Sequence, residues 1–237
     1  PPRSTLFPYT TLFRSQLCGF FYTKNMDFLP TEIEKYALKY TAKESDLLAK
    51  LNRETWAKVM TPRMLSGHLQ GRALSLFSKM ISPENILEIG TYTGYSALCM
   101  AEGLREKGKL HTIECDEEVS LFAKRYFDMS EYKKNIIQHT GNAMEIIPSI
   151  EAEFQLVFID ADKENYSNYF DLVFSKLSIG GYIIADNVLW SGKVVEKTQD
   201  EETKALVAYS KKVQQNQRVE NILMPIRDGL MICRKIK

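Results

Sequence analysis

Seven short, apolar, strand-like runs constrain this chain more than any other feature: 86–89, 110–113, 136–138, 156–159, 182–185, 219–224 and 230–233. A strand without regular polar alternation has no face to offer water, so it belongs in a sheet covered on both sides. Between most of the runs lie stretches of helical length, such as 95–106, 117–128 and 166–177. Strand–helix alternation of this kind predicts a mostly parallel sheet with crossover helices on its faces. The last two runs break the pattern. Only Pro225-Ile226-Arg227-Asp228-Gly229 separates them, a hairpin-length link with an Asp-Gly turn, so they should form an antiparallel edge. Upstream, Ile33, Tyr36, Ala37 and Tyr40 recur at helical spacing, followed by Leu47, Leu48, Leu51 and Trp56. A third helix is expected over 70–80, stopped before Pro83. The predicted fold is α/β and Rossmann-like, with a helical cap over 31–80 and a core over 84–237. That core should hold a seven-stranded, mostly parallel sheet with an antiparallel C-terminal hairpin.

Residues 26–237 are expected to form a single domain. The stretch 4–15, STLFPYTTLFRS, repeats TLF and has neither helical nor strand rhythm. It resembles translated sequencing-adaptor sequence. Residues 1–25 are therefore expected to be a non-native or disordered leader, with Met26 the natural start. The formal net charge is +1, but Arg3, Arg14 and Lys24 lie in that leader, which has no acid. Residues 26–237 carry 28 basic and 30 acidic side chains, too balanced for a dedicated nucleic-acid binder. No apolar run approaches the roughly 20 residues needed to span a bilayer. Arg14 and polar residues also interrupt the N-terminal apolar stretches before a signal-peptide core can form. Cys18, Cys99, Cys115 and Cys233 show no CxxC spacing, and His68, His111 and His139 no HxxxH. A zinc site or disulfide framework is not expected, and free thiols fit a cytoplasmic protein.

The first strand runs into Glu88-Ile-Gly90-Thr-Tyr92-Thr-Gly94-Tyr-Ser96. Its glycines permit a sharp turn and a close backbone approach. The spacing is E-x-G-x-x-x-G, without the third glycine of a dinucleotide loop, since Tyr95 stands there. An acid ahead of the first glycine suits a cationic or amino-bearing ligand better than a diphosphate. The second strand ends at Glu114, 24 residues past Gly90, placed to accept from ribose hydroxyls. Methyl transfer is favoured by this loop over the hydride transfer of a nicotinamide oxidoreductase.

The fourth strand ends in Asp160-Ala161-Asp162-Lys163, the fifth in Asp186-Asn187. If these strands are neighbours, about 4.8 Å apart, their ends meet at the crevice where open α/β sheets bind ligands. Asp160, Asp186 and Asn187 would then offer two carboxylates and an amide oxygen, a hard set suited to Mg²⁺, Mn²⁺ or Ca²⁺. Such a set leaves positions for two vicinal oxygens and a water. Asp162 reads as a cap on the following helix. Near a cation, the Lys163 ammonium should lose its proton more easily and serve as a general base.

The segments MLSGHLQGRAL (64–74), ILEIGTYTGYSAL (86–98), LHTIECDEE (110–118), FIDADKENY (158–166) and DNVLWSGKV (186–194) resemble the cation-dependent O-methyltransferases. That group contains caffeoyl-CoA and catechol O-methyltransferases, and the chain looks most like its bacterial members over residues 27–237. The resemblance implies a class I methyltransferase fold and S-adenosylmethionine contacts at Met64, Glu88, Gly90, Tyr92, Ser96, Glu114, Ala143 and Asp160. It also implies metal ligation by Asp160, Asp186 and Asn187, Lys163 as base, Trp190 against the acceptor ring, and a homodimer. The acceptor implied is a small vicinal diol of catechol type, with a caffeoyl-CoA-like ester as the alternative. Two departures stand out. The plant enzymes acting on CoA esters carry an acid at the position of Gln70, which should change a contact beside the methionine. The mammalian catechol enzymes have bulky residues in place of Ala161-Asp162. A cap over residues 31–60 is expected to close over the site. A binding protein without catalysis would show a broken metal set, and here the set is intact.

Overall fold

The computed structural model describes residues 30–237, so the leader, Met26 and Cys18 lie outside the described residues. The seven apolar runs form strands β1 (Asn85–Ile89), β2 (Lys109–Glu114), β3 (Ile136–Thr140), β4 (Phe154–Ile159), β5 (Leu177–Ala185), β6 (Val219–Met224) and β7 (Leu230–Lys235). They pair in one sheet of order β3-β2-β1-β4-β5-β7-β6. Strands β1 to β5 run parallel, and β7 pairs antiparallel with both β5 and β6. The hairpin-length link therefore makes the one reversal that its length allows.

Side-chain alternation divides the core into two layers. Leu87, Ile89, Val157, Ile159 and Ile183 face one layer, and Ile86, Leu110, Leu156, Phe158 and Ile184 face the other. Helices α1 (Thr31–Lys39), α2 (Asp46–Lys58) and α3 (Gly67–Ile81) form the N-terminal region. The crossovers carry α4 (Tyr95–Ala101), α5 (Glu117–Met129), α6 (Ala143–Ser149), α7 (Tyr166–Lys176) and α8 (Glu201–Gln215). Asn142 and Asp200 cap α6 and α8 by accepting from the backbone amides of Met144 and Thr203. Neither helix stands out in the apolar pattern. Helix α6 is short, and only Thr203, Leu206, Tyr209 and Val213 of α8 are buried.

Three expectations need correction. Helix α4 ends at Ala101 rather than at 106, because Gly103 follows with its Cα against the backbone of Ser78, where a Cβ would collide. Strand β5 begins five residues earlier than expected, at Leu177, and crosses a register shift between Phe154 and Leu156. The N-terminal helices do not close over the crevice. Residues 31–60 contribute nothing to the cavity lining, and the segment ties back through Thr55 Oγ1 to Thr93 Oγ1 at 3.1 Å and Tyr95 OH to Glu44 at 2.5 Å.

Candidate active site

Strands β4 and β5 are neighbours, with Ile159 paired to Ala185, so Asp160 and Asp186 leave the sheet side by side. The ladder extends one step further, because Asp186 N–H donates to the Ile159 carbonyl at 2.9 Å. Asn187 then turns at φ 57°, a left-handed conformation that asparagine tolerates better than most residues. A cavity of about 1000 Å³ opens at these strand ends. Gly90, Tyr92, Glu114, Ala143, Asp160, Lys163, Asp186, Asn187, Trp190 and Met64 all line it.

Lys163 sits at the centre of this group and is 7% exposed. Its ammonium donates to Asp160 Oδ1 at 3.1 Å, Asn187 Oδ1 at 2.9 Å and Tyr166 OH at 2.8 Å. Tyr166 passes the chain on, donating to the Asp186 carbonyl at 3.0 Å. A carboxylate and an amide oxygen on different strands thus converge on one cationic centre. That convergence is what a hard-cation site requires, and the donor chemistry fits a divalent ion. Among the described residues no group of three His, Cys, Asp or Glu could hold a metal ion, so such a site must recruit the amide of Asn187.

Asp186 is 2% exposed, and burial pushes its carboxyl well above the usual carboxylate range, with the neighbouring Asp160 charge adding to the rise. Two donors oppose that rise: Gln70 Nε2 at 2.5 Å from Oδ2, and the Asn187 amide at 2.7 Å from Oδ1. Gln70 is fully buried and is not part of the cavity lining. The residue at this position therefore bears on the support of Asp186.

The glycine loop is built by close approach. A Cβ on Gly90, at φ 98°, would lie 1.9 Å from the Asp160 carbonyl oxygen, so the strand ends can meet only at glycine. Tyr92 turns at φ 48° and aims its amide at Glu114 Oε2, 2.7 Å away. Its hydroxyl donates to the Thr61 carbonyl at 2.9 Å. Glu114 also accepts from the Asp116 amide at 3.0 Å. Both carboxylate oxygens are oriented by backbone while the side chain still faces the cavity.

Glu88 and Ser96 are not brought to the cavity. Glu88 is fully buried, and its oxygens accept from Ser96 Oγ and Thr112 Oγ1, each at 2.5 Å. Thr112 Oγ1 shares a further hydrogen bond with Thr91 Oγ1 at 2.5 Å. Burial lifts the Glu88 carboxyl to about 8. The acid ahead of the glycine is thus the hub of a buried polar network behind the loop. Asp162 is not a helix cap either. Its side chain makes no capping bond but accepts from Tyr169 OH and Asn165 Nδ2, each at 2.5 Å, on the cavity wall.

Trp190 is half-buried on the cavity wall at φ 47°, with Lys163 Nζ 5.5 Å from its ring centre. Tyr169, Asn165, Glu202 and Arg227 line the same wall and were not anticipated. Tyr169 lies one helical turn past Tyr166, a spacing that could have singled it out. Arg227 is brought in from the far hairpin, and no local signal marks it.

A family model described as O-methyltransferase matches residues 38–236 of the chain. A catechol O-methyltransferase of Niastella koreensis is 33% identical, the match covering 71% of this chain and 78% of that one. Caffeoyl-CoA O-methyltransferase 1 of Arabidopsis thaliana is 31% identical, over 78% of this chain and 76% of its own. Among solved structures, an O-methyltransferase of Bacillus cereus in complex with SAH superposes with a TM-score of 0.81 at 26% identity. It covers 86% of this chain and 97% of that one.

Proposed function

The chain belongs to the O-methyltransferase family, and from that premise we propose that it transfers the methyl group of S-adenosylmethionine to one hydroxyl of a small vicinal diol, with a divalent cation held by Asp160, Asp186 and Asn187. The observation that carries this reading is the convergence of Asp160 and Asn187 oxygens on the buried Lys163 ammonium, beside Asp186. A divalent cation bound there would draw two vicinal oxygens together and make the hydroxyl more acidic.

The chain's own residues then supply position and proton transfer. Glu114, Gly90, Tyr92, Ala143 and Met64 are proposed to hold the methyl donor along the loop side of the cavity. Trp190 and Tyr169 flank the acceptor on the other side. Lys163 Nζ takes the proton of the reacting hydroxyl, and the resulting ammonium is held by Tyr166 OH, its neighbour outside the proposed ligand set. The oxygen bonds to the methyl carbon, and the sulfur retains the electron pair of the bond that breaks. Because the sulfonium methyl is already activated, orientation and fixed charge account for most of the acceleration.

A nicotinamide oxidoreductase has no support in this site, where Glu114 and the glycine loop meet without a third glycine. Acceptor choice is tested by methyl transfer from labelled S-adenosylmethionine, with Mg²⁺, to catechol, a flavonoid diol, a caffeoyl-CoA ester and the mono-hydroxyl phenol. Labelled product from the diols and none from phenol is the expected result. Equal labelling of phenol would sink the vicinal-diol reading.

A further inference from the structure

The polar contacts behind Asp186 run through Gln70, buried away from the cavity, and Arg227, which lines it. Gln70, on α3, lies in a fully buried position and reaches across to the end of β5. Its amide orientation is dictated by its partners. Arg227 can only donate, so Gln70 Oε1 faces Arg227 Nη1 at 3.2 Å and Nε2 is left to donate to Asp186 Oδ2 at 2.5 Å. Arg227 Nη1 also donates to the Leu65 carbonyl at 3.2 Å and to the Ser66 carbonyl. The guanidinium is itself aimed by the β6–β7 turn, where Arg227 adopts φ 48°. A chain of donors therefore runs from the hairpin tip, through the buried amide, to one oxygen of Asp186. The Asn187 amide holds the other oxygen at 2.7 Å.

We propose that Gln70 and Arg227 are positioning residues that hold the Asp186 carboxylate in its cation-binding orientation, Arg227 acting through Gln70. The assignment rests on the cation site proposed above. A carboxylate whose rotation is free can turn away from the strand-end crevice, and it must be re-ordered each time an ion binds. One held at both oxygens is already ordered. The charge of Arg227, one hydrogen bond removed, also offsets the proximity of Asp160 and Asp186. Partners of this kind around metal ligands are typically worth 10–100-fold in metal affinity.

The test is a titration of the full-length, metal-free chain with Mn²⁺, following free Mn²⁺ by its electron paramagnetic resonance signal. Gln70→Leu keeps the side-chain volume and removes the donor, and its Mn²⁺ dissociation constant should rise by roughly tenfold. Its S-adenosylmethionine dissociation constant, measured by calorimetry without metal, should stay within about twofold of the wild type. Arg227→Ala should weaken Mn²⁺ binding about threefold alone and add nothing in the Gln70→Leu background, as expected of two residues acting in series. An unchanged Mn²⁺ constant in Gln70→Leu would overturn the assignment, as would a parallel loss of S-adenosylmethionine binding. If Gln70→Leu does not fold, Arg227→Ala alone decides, and unchanged Mn²⁺ binding in it overturns the assignment. Absence of Mn²⁺ binding in the wild type would instead remove the cation site itself, and the positioning role with it.

Discussion

Glu88 is a carboxyl group sealed in the core just ahead of the loop glycine. An acid before the loop glycine suggests a ligand contact, yet its two oxygens are spent on Ser96 and Thr112 inside the core. Burial raises its carboxyl from the usual 4.5 to about 8, so the folded state holds its proton more tightly than the unfolded chain. The contribution to stability is therefore fully present below about pH 4.5 and is lost as pH rises through 8. Glu88→Gln should flatten that part of the stability profile and raise the unfolding midpoint at pH 8.5 relative to the wild type. Thermal unfolding across pH 5–9 checks this, and identical profiles would contradict it. The convergence of Asp160 with Asp186-Asn187, by contrast, was legible because each closes an apolar strand and the two strands are neighbours. Gln70 and Arg227 were not, because their roles depend on contacts 116 and 157 residues apart in the chain.

At the scale of elements, the strands were legible wherever burial on both faces suppresses polar residues. Strand β5 was only half legible, since Ser178, Gly180 and Gly181 interrupt the apolar run before Tyr182. The hairpin was recognised from its length, but its work on the site was hidden. Its tip residues 228–229 accept from the Leu189 and Val188 amides at 2.9 and 3.2 Å, and Asp228 Oδ1 accepts from Ser191 N at 2.5 Å. The hairpin thus clamps the segment carrying Trp190, whose own backbone is left-handed. Asp228→Ala should free this segment and raise the acceptor KM about tenfold, leaving the S-adenosylmethionine KM within about twofold, since a lost charge-assisted bond is worth roughly 1.5 kcal/mol. Steady-state kinetics with each substrate varied in turn separates the two, and an equal rise in both constants would refute the clamp.

For the molecule as a whole, the arrangement is a sheet with a packed core on each face, whose working end is the carboxyl edge of β1, β2, β4 and β5. No helix among the described residues is long and apolar enough to cross a membrane. The N-terminal helices were legible as helices, but their packing was not, because helical periodicity does not say what an apolar face meets. No residue of α1 is buried, and Ile33 and Tyr36 remain exposed on it, as do Tyr40 just past its end and Leu76 and Met80 on α3. Apolar surface of this kind marks association sites in many proteins, and we propose that the chain is a homodimer. Light scattering after size exclusion should give twice the 27.3 kDa chain mass. A monomer at tens of micromolar would contradict that.

The central claim is that catalysis depends on a divalent cation at Asp160, Asp186 and Asn187. Its most direct test is the initial rate of catechol methylation during chelation with EDTA and restoration with Mg²⁺, in the wild type and in Asp160→Ala. The wild-type rate should fall to background in EDTA and return with Mg²⁺. Asp160→Ala should stay at background at every Mg²⁺ concentration while still binding S-adenosylmethionine. Full wild-type activity in EDTA, or a fully active Asp160→Ala, would contradict it.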